Sequence, residues 1–386
     1  MEGWQIALII FVACSFFWCC VSMLTGGVIV ATNTAPTPAP TPAPAPTPAP
    51  TPAPTPAPTP APQITGASPI SNLGSSIPPP PQVPKFVAVS IGTEAAYSSD
   101  GINWTASTLP SSQTWCGVAH KSTNTLVVAA IAGYKYDATN AAASSADGGK
   151  TWTATTMPSS SHWRAIACCP AGPGHAGRFV AVAWGGVTTA AYSNDGINWT
   201  ASTLPSAQYW RGVCCRSDGV YIATADSGGV AAYSNNGIRW TQVTVPGGDG
   251  PGWYGIAVGP TRYIMASDNN GFTAYSDNGT SWTSGGNVGE PYPVSVAINS
   301  TGSVAVVAIR NRAKLAYSTN GGVTWTTVTI ADDYWNNVTW SASTNKFVMT
   351  AGGDSPSNQV VYSTNGTSWS SATMPSVQAW NGLSSY

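Results

Sequence analysis

Seven aromatic residues recur at a near-regular interval: Trp115, Trp163, Trp210, Trp253, Tyr292, Trp335 and Trp380. Arg164 and Arg211 directly follow two of them. An aromatic face stacks on the C–H side of a sugar ring, and charged groups beside it hydrogen-bond the hydroxyls. Asp226, Asp268, Arg310 and Arg312, with Glu94, Asp137 and Asp354, fall in loops expected on the same rim. Asp226 and Asp268 are also the nearest candidates for a glycoside-cleaving pair, which needs two carboxyl groups roughly 5–10 Å apart. A structural reading competes: periodic tryptophans pack between repeated units. His120, His162 and His175 show neither metal-ligand spacing nor a nucleophile–base pattern. No metal, cofactor or catalytic residue is therefore expected.

The elements that position these residues come from a second repeat. The stretch from Tyr97 to Trp104 recurs with its last tryptophan at Trp152, Trp199, Trp240, Trp282, Trp325 and Trp369, in steps of 48, 47, 41, 42, 43 and 44 residues. A period of this length marks a repeat architecture. Counted from Ser98, the third position of this box is Asp100, Asp147, Asp195, Asn236, Asn278, Asn320 or Asn365, always followed by glycine. Asp-Gly and Asn-Gly are strong hairpin signals, because glycine accepts positive φ and the Asx side chain bonds the local backbone. Those seven residues are read as structural.

Each repeat holds four short β-rich pieces, such as those beginning at Trp210, Val220, Val230 and Arg239. Four strands per repeat make the blade of a β-propeller. The stretch from Trp380 to Tyr386 supplies one strand that the first repeat lacks. The expectation is an all-β, seven-bladed β-propeller over residues 85–386, closed by the C-terminal strand.

Residues 1–33 and 34–84 read differently. Trp4 to Ala31 is almost wholly apolar and long enough to span a bilayer as a helix, an uncleaved anchor with no positive n-region. Residues 34–62 alternate Pro with Thr and Ala. Proline removes amide donors and fixes φ, so this should be a polyproline II stalk on the order of 90 Å long at about 3.1 Å per residue. A looser linker follows to residue 84. The stalk joins at Lys85, the start of a second strand, on the face of the box turns. The opposite rim would then point away from the membrane.

No charged residue lies between Glu2 and Lys85, so all 14 Lys and Arg, and every acid but Glu2, belong to the propeller region. That balance excludes a basic footprint for nucleic acid. Charged residues make up 8% of the chain, against about 25% ordinarily. Such a surface suits an extracellular, lumenal or virion-exposed position. Cys168 and Cys215 each lie five residues after a periodic tryptophan, which permits either a disulfide between neighbouring units or two buried thiols. Six sequons occur, at Asn103, Asn198, Asn278, Asn299, Asn337 and Asn365.

The run from Ser145 to Trp152 resembles the Asp-box of sialidase-like propellers, S-x-D-x-G-x-T-W, and Ser318 to Trp325 matches with Asn320 for Asp. The other copies are one residue shorter and look like those of viral, phage and bacterial surface propellers. The resemblance implies box turns on the face away from the ligand. For a sialidase it would also imply an arginine triad, a Tyr/Glu pair and an Asp acid. The family's Arg-Ile-Pro motif is absent, and Glu94 and Glu290 are the only propeller glutamates. The expected function is a non-catalytic surface module binding a glycan or a protein. The alternatives are a glycoside-processing enzyme and a membrane-complex assembly scaffold.

Overall fold

The computed structural model describes residues 83–122, 126–133, 137–169, 172, 177–226, 229–247, 252–310 and 313–385. The expected anchor and stalk, together with His175 and Arg312, lie outside the described residues. Every regular element is a strand. One continuous ladder contains β1 (Phe86–Ser98), β2 (Thr105–Ser122), β3 (Leu126–Ala132), β4 (Thr139–Ser145), β5 (Thr153–Cys169), β6 (Arg178–Trp184), β7 (Val187–Ser193) and β8 (Thr200–Gln208). Next come β9 (Trp210–Cys215), β10 (Tyr221–Ala225), β11 (Val230–Ser234) and β12 (Thr241–Thr244) in one sheet. A second sheet is β13 (Trp253–Val258), β14 (Tyr263–Ser267), β15 (Phe272–Ser276) and β16 (Thr283–Asn287). A third is β17 (Pro293–Ile298), β18 (Ala305–Ile309), β19 (Lys314–Ser318) and β20 (Thr326–Thr329). The last is β21 (Trp335–Ser341), β22 (Lys346–Ala351), β23 (Ser357–Ser363) and β24 (Ser370–Gln378), and β25 (Trp380–Ser385) pairs back onto β1.

The pairings between named strands are antiparallel, as short segments joined by tight turns require. The long strands serve two sheets. The first half of β2 pairs with β1 and its second half with β3, and β5 likewise divides between β4 and β6. β1 doubles back at Gly92 (φ 100°), where Lys85 N donates to Ser98 O at 2.7 Å and Ser90 Oγ to Glu94 O at 2.9 Å. The described chain thus begins beside the first box turn. β2, β5, β9, β13, β17, β21 and β25 lie against one another in that order, and β25 also touches β2. In the third repeat the fourth strand starts at Thr241 rather than Arg239, because Trp240 turns inward against the core around Tyr221.

The box turns have one construction. Ser98 Oγ accepts from Gly101 N at 2.8 Å and donates to Asp100 Oδ1 at 3.0 Å. Asp100 Oδ1 accepts from the amides of Ile102 and Asn103, both at 2.8 Å, and Oδ2 accepts from Asn103 Nδ2. Gly101 (φ 75°) admits no side chain: a Cβ there would stand 2.6 Å from Val348 Cγ2 on a neighbouring sheet. Ser145/Asp147, Ser193/Asp195, Ser234/Asn236, Ser276/Asn278, Ser318/Asn320 and Ser363/Asn365 repeat the Ser–Asx bond. In the two longer copies the serine instead accepts from the next glycine, Gly149 or Gly322.

A disulfide joins β5 to β9, between Cys169 and Cys215 with Cα atoms 5.3 Å apart. This corrects the pairing considered for Cys168 and Cys215. Successive strand residues point to opposite faces, so only one thiol of each adjacent pair can face the neighbouring strand. Cys168 points elsewhere, and burial pushes its thiol up to about 12.

The tryptophans that open the inner strands form the largest buried side chains, at 0–1% exposure. Trp210, for example, packs on Val180, Val182 and Leu204 of the preceding sheet. Trp210→Ala is expected to cost about 3–5 kcal/mol through the cavity it leaves, read as a lowered urea midpoint with an unchanged slope.

Burial alone would raise the box carboxyls of Asp100, Asp147 and Asp195, yet backbone and side-chain donors hold all three below the usual value. A depressed folded pKa contributes stability above the unfolded value, about 3.9, and that stability is lost as pH falls below it. The triple variant Asp100→Asn, Asp147→Asn, Asp195→Asn, which copies the four Asn boxes, should fold at pH 7. It should also lose part of the acid-induced drop in urea midpoint; an unaltered pH profile would contradict this account.

Candidate functional site

The inner strands carry one irregularity in common. Immediately after Trp115, Trp163, Trp210, Trp253, Pro293, Trp335 and Trp380, the register with the neighbouring strand slips by one. The residue left out of the ladder is Cys116, Arg164, Arg211, Tyr254, Val294, Asn336 or Asn381. A bulge of this kind bends the strand and re-aims a side chain. All seven bulged residues line one cavity of about 180 Å³, which also takes in Arg310, Asn337 and Ser295.

The cavity is polar and its groups are mutually held. Arg211 Nε and Nη2 both donate to Asp226 Oδ2, at 3.0 and 2.7 Å, and Nη2 also donates to Tyr254 OH at 2.5 Å. The Arg211 guanidinium lies over the Tyr254 ring at 3.9 Å and 5.5 Å from the Trp184 ring. Arg310 stands 5.9 Å from Tyr254 and 5.5 Å from Tyr334, whose hydroxyl donates to Asp354 at 3.2 Å. Both arginines are therefore fixed against aromatic faces, which guanidinium groups favour.

Asp268 is 8% exposed. Burial raises its carboxyl and the Asp226 charge adds to the rise, while Arg310 opposes it. Burial likewise pushes the Tyr254 phenol up to about 12 against the pull of Arg211. The Cys116 thiol is pushed up to about 11 by burial, with Arg164 opposing, and it donates to Gly133 O at 2.7 Å. Arg211 and Arg310 thus act on Asp226 and Asp268, and burial holds the Asp268 carboxyl above its ordinary value.

Several sequence expectations change here. Trp115, Trp163, Trp210, Trp253, Trp335 and Trp380 are buried between sheets, so their faces are closed to any ligand. Periodicity placed them correctly at the strand starts, but sheet-to-sheet packing consumes the rings. Tyr292 belongs to another position. Pro293 pairs with Ile309 as Trp335 pairs with Ala351, so Pro293 fills the tryptophan place. Tyr292 precedes it, 45% exposed with φ 67°. Arg164, Arg211 and Arg310 do come together, with Asp226 and Asp268 against them. The box residues lie at the edge where Lys85 meets Ser98.

The sequence reading missed Tyr254, Asn336, Asn337 and Asn381 in the cavity, and Trp184, Tyr209 and Tyr334 beside it. The available signal was the residue after each periodic tryptophan. After the six tryptophans that position is Cys116, Arg164, Arg211, Tyr254, Asn336 and Asn381, and after Pro293 it is Val294.

No protein-family model matches the chain, and no curated protein does. Solved structures resemble it. A virginiamycin B lyase from Staphylococcus aureus is 14% identical with a TM-score of 0.55, over 68% of this chain and 85% of that one. A streptogramin B lyase is 13% identical with a TM-score of 0.57, over 78% and 91%. A functionally unknown protein from Desulfotomaculum acetoxidans is 13% identical with a TM-score of 0.58, over 78% and 98%. Likeness at this identity carries the fold alone: the described strands form a β-propeller. The resemblance to sialidase-like propellers rests on the box residues themselves.

A raised folded pKa means the fold binds a proton that the unfolded chain has lost. Asp268 therefore stabilises below the ordinary carboxylate value of about 3.9, and that contribution disappears as pH rises through its folded pKa. Asp268→Asn should abolish this component. The urea midpoint of the variant is expected to decline less than that of the parent between roughly pH 4 and 7.

Proposed function

We propose that this chain is a membrane-anchored, stalked, seven-bladed propeller that binds a glycan or protein ligand without turning it over. Its ligand seat is the ring of bulged residues. One observation carries the reading: the bulged residue of every inner strand, a different side chain in most blades, lines one and the same cavity. Support for the blade number and for closure comes from β25, which pairs with β1 and lies against both β2 and β21.

The charge of the cavity favours a ligand with a carboxylate or sulfate group, received by Arg164, Arg211 and Arg310. Asn336, Asn337 and Asn381 offer donors and acceptors to hydroxyls beside it. A binding role is favoured over glycoside cleavage, because Arg211 holds the Asp226 carboxylate through two donors and commits it to that ion pair. Residues 4–31 would hold the molecule in a membrane, with the propeller on the extracellular, lumenal or virion-exposed side.

The full chain in lipid nanodiscs, titrated with a panel of acidic and neutral oligosaccharides, tests this reading. An acidic glycan should bind and be recovered intact, and Arg310→Ala should weaken it about tenfold, or 1.4 kcal/mol. Product release that Asp226→Asn abolishes would favour the enzyme reading. A co-purifying membrane protein without glycan binding would favour the assembly scaffold.

A further inference from the structure

Outside the cavity, β6 ends on Trp184 and the turn Gly185–Gly186 follows, with φ of 115° and 71°. Tyr209 bridges β8 and β9 on the next blade edge. The Trp184 and Tyr209 rings lie 4.9 Å apart at 53°, and the His162 ring meets Trp184 edge-on at 6.2 Å. Tyr209 is 43% exposed, and Trp184 and His162 are half-buried. A Cβ on Gly186 would come within 3.7 Å of the Tyr209 ring, and one on Gly185 within 3.4 Å of His162 Nδ1. Glycine at both places keeps these rings uncovered.

The fold does not require an aromatic residue at 209. The same place, directly before the buried inner-strand residue, holds Thr114, Gly252 and Ala379 in other blades. Yet the backbone at Tyr209 is fixed, because its carbonyl accepts from Asp226 N at 2.8 Å and the next residue, Trp210, is fully buried. An exposed ring on a rigid mount is preorganised to stack. The Tyr209 ring packs on Trp184, which His162 meets edge-on and over which the Arg211 guanidinium lies, and Arg211 also reaches the cavity through Tyr254.

We infer that Tyr209, Trp184 and His162 form a second subsite, which takes a neutral pyranose ring adjoining the ligand group seated in the cavity. A flat ring with an apolar C–H face and a polar perimeter matches one exposed aromatic face bordered by an imidazole and a guanidinium. This rests on the binding-head reading for the claim that this face carries ligand, but not on the ligand's charge.

The test uses the full chain in nanodiscs with calorimetric titration of separate probes: methyl glucuronide for the anion seat, and cellotetraose, chitotetraose and a galactan-derived tetraose for the platform. At least one neutral tetraose should bind. Its affinity should fall about tenfold in Tyr209→Ala, be largely kept in Tyr209→Phe, and be unmoved by Arg310→Ala. Methyl glucuronide should show the reverse pattern. If none of the neutral tetraoses binds the folded protein, or if Tyr209→Ala leaves their binding unchanged, the subsite is refuted. Tyr209-dependent binding of a Thr-Pro-Ala-Pro repeat peptide in place of the sugars would also overturn it. Failure of methyl glucuronide alone would sink the anion seat and leave the platform standing.

Discussion

A buried indole at the head of an inner strand is the contact on which the other features depend. In four blades its N–H is held by a main-chain carbonyl: Trp115 by Ser111, Trp163 by Ser159, Trp210 by Val187 and Trp335 by Ala331. That anchors both the depth and the orientation of the ring between sheets. The ladder then slips, and the following side chain leaves the pairing plane toward the cavity. Structural and ligand-facing duties therefore fall on consecutive residues, Trp163 and Arg164 or Trp210 and Arg211. Where Pro293 replaces the indole the slip persists, so the bulge follows from the strand geometry of the ring as well as from the tryptophan.

The box turns complete the packing from the other edge. Gly101 fits against Phe86 and Val348, Gly149 against Val87, and Gly237 against Val180 and Tyr221. Each turn thus presses bare backbone onto the next sheet, where any side chain would intrude. The Ser–Asx bonds keep that backbone compact without help from solvent. Between the two edges, the disulfide ties the strands carrying Arg164 and Arg211, and so fixes the spacing of two of the three guanidinium groups.

How much of this could be read from the sequence depends on the range of the interaction. Asx-Gly turns and β-rich pieces are local, so Asp100 to Trp104 and its copies were legible. The fate of the tryptophans was not, because a periodic ring looks the same whether it meets a ligand or the next sheet. Tyr292 was misplaced because Pro293 carries no aromatic signal. The cysteine pairing came out one residue away, since strand alternation, rather than spacing from Trp163, decides which thiol faces β9. Arg164, Arg211 and Arg310 were recoverable as charges in a charge-poor chain. Trp184 and Tyr209 were invisible, because 25 residues and two strands separate them.

A bulged residue has a further property. Its side chain is excluded from the ladder, so exchanging it leaves the pairing on either side intact. Cys116, Val294 and Asn381 already differ in size and polarity on the same backbone motif. One backbone motif thus carries a thiol, an isopropyl group and an amide to the wall of the same cavity.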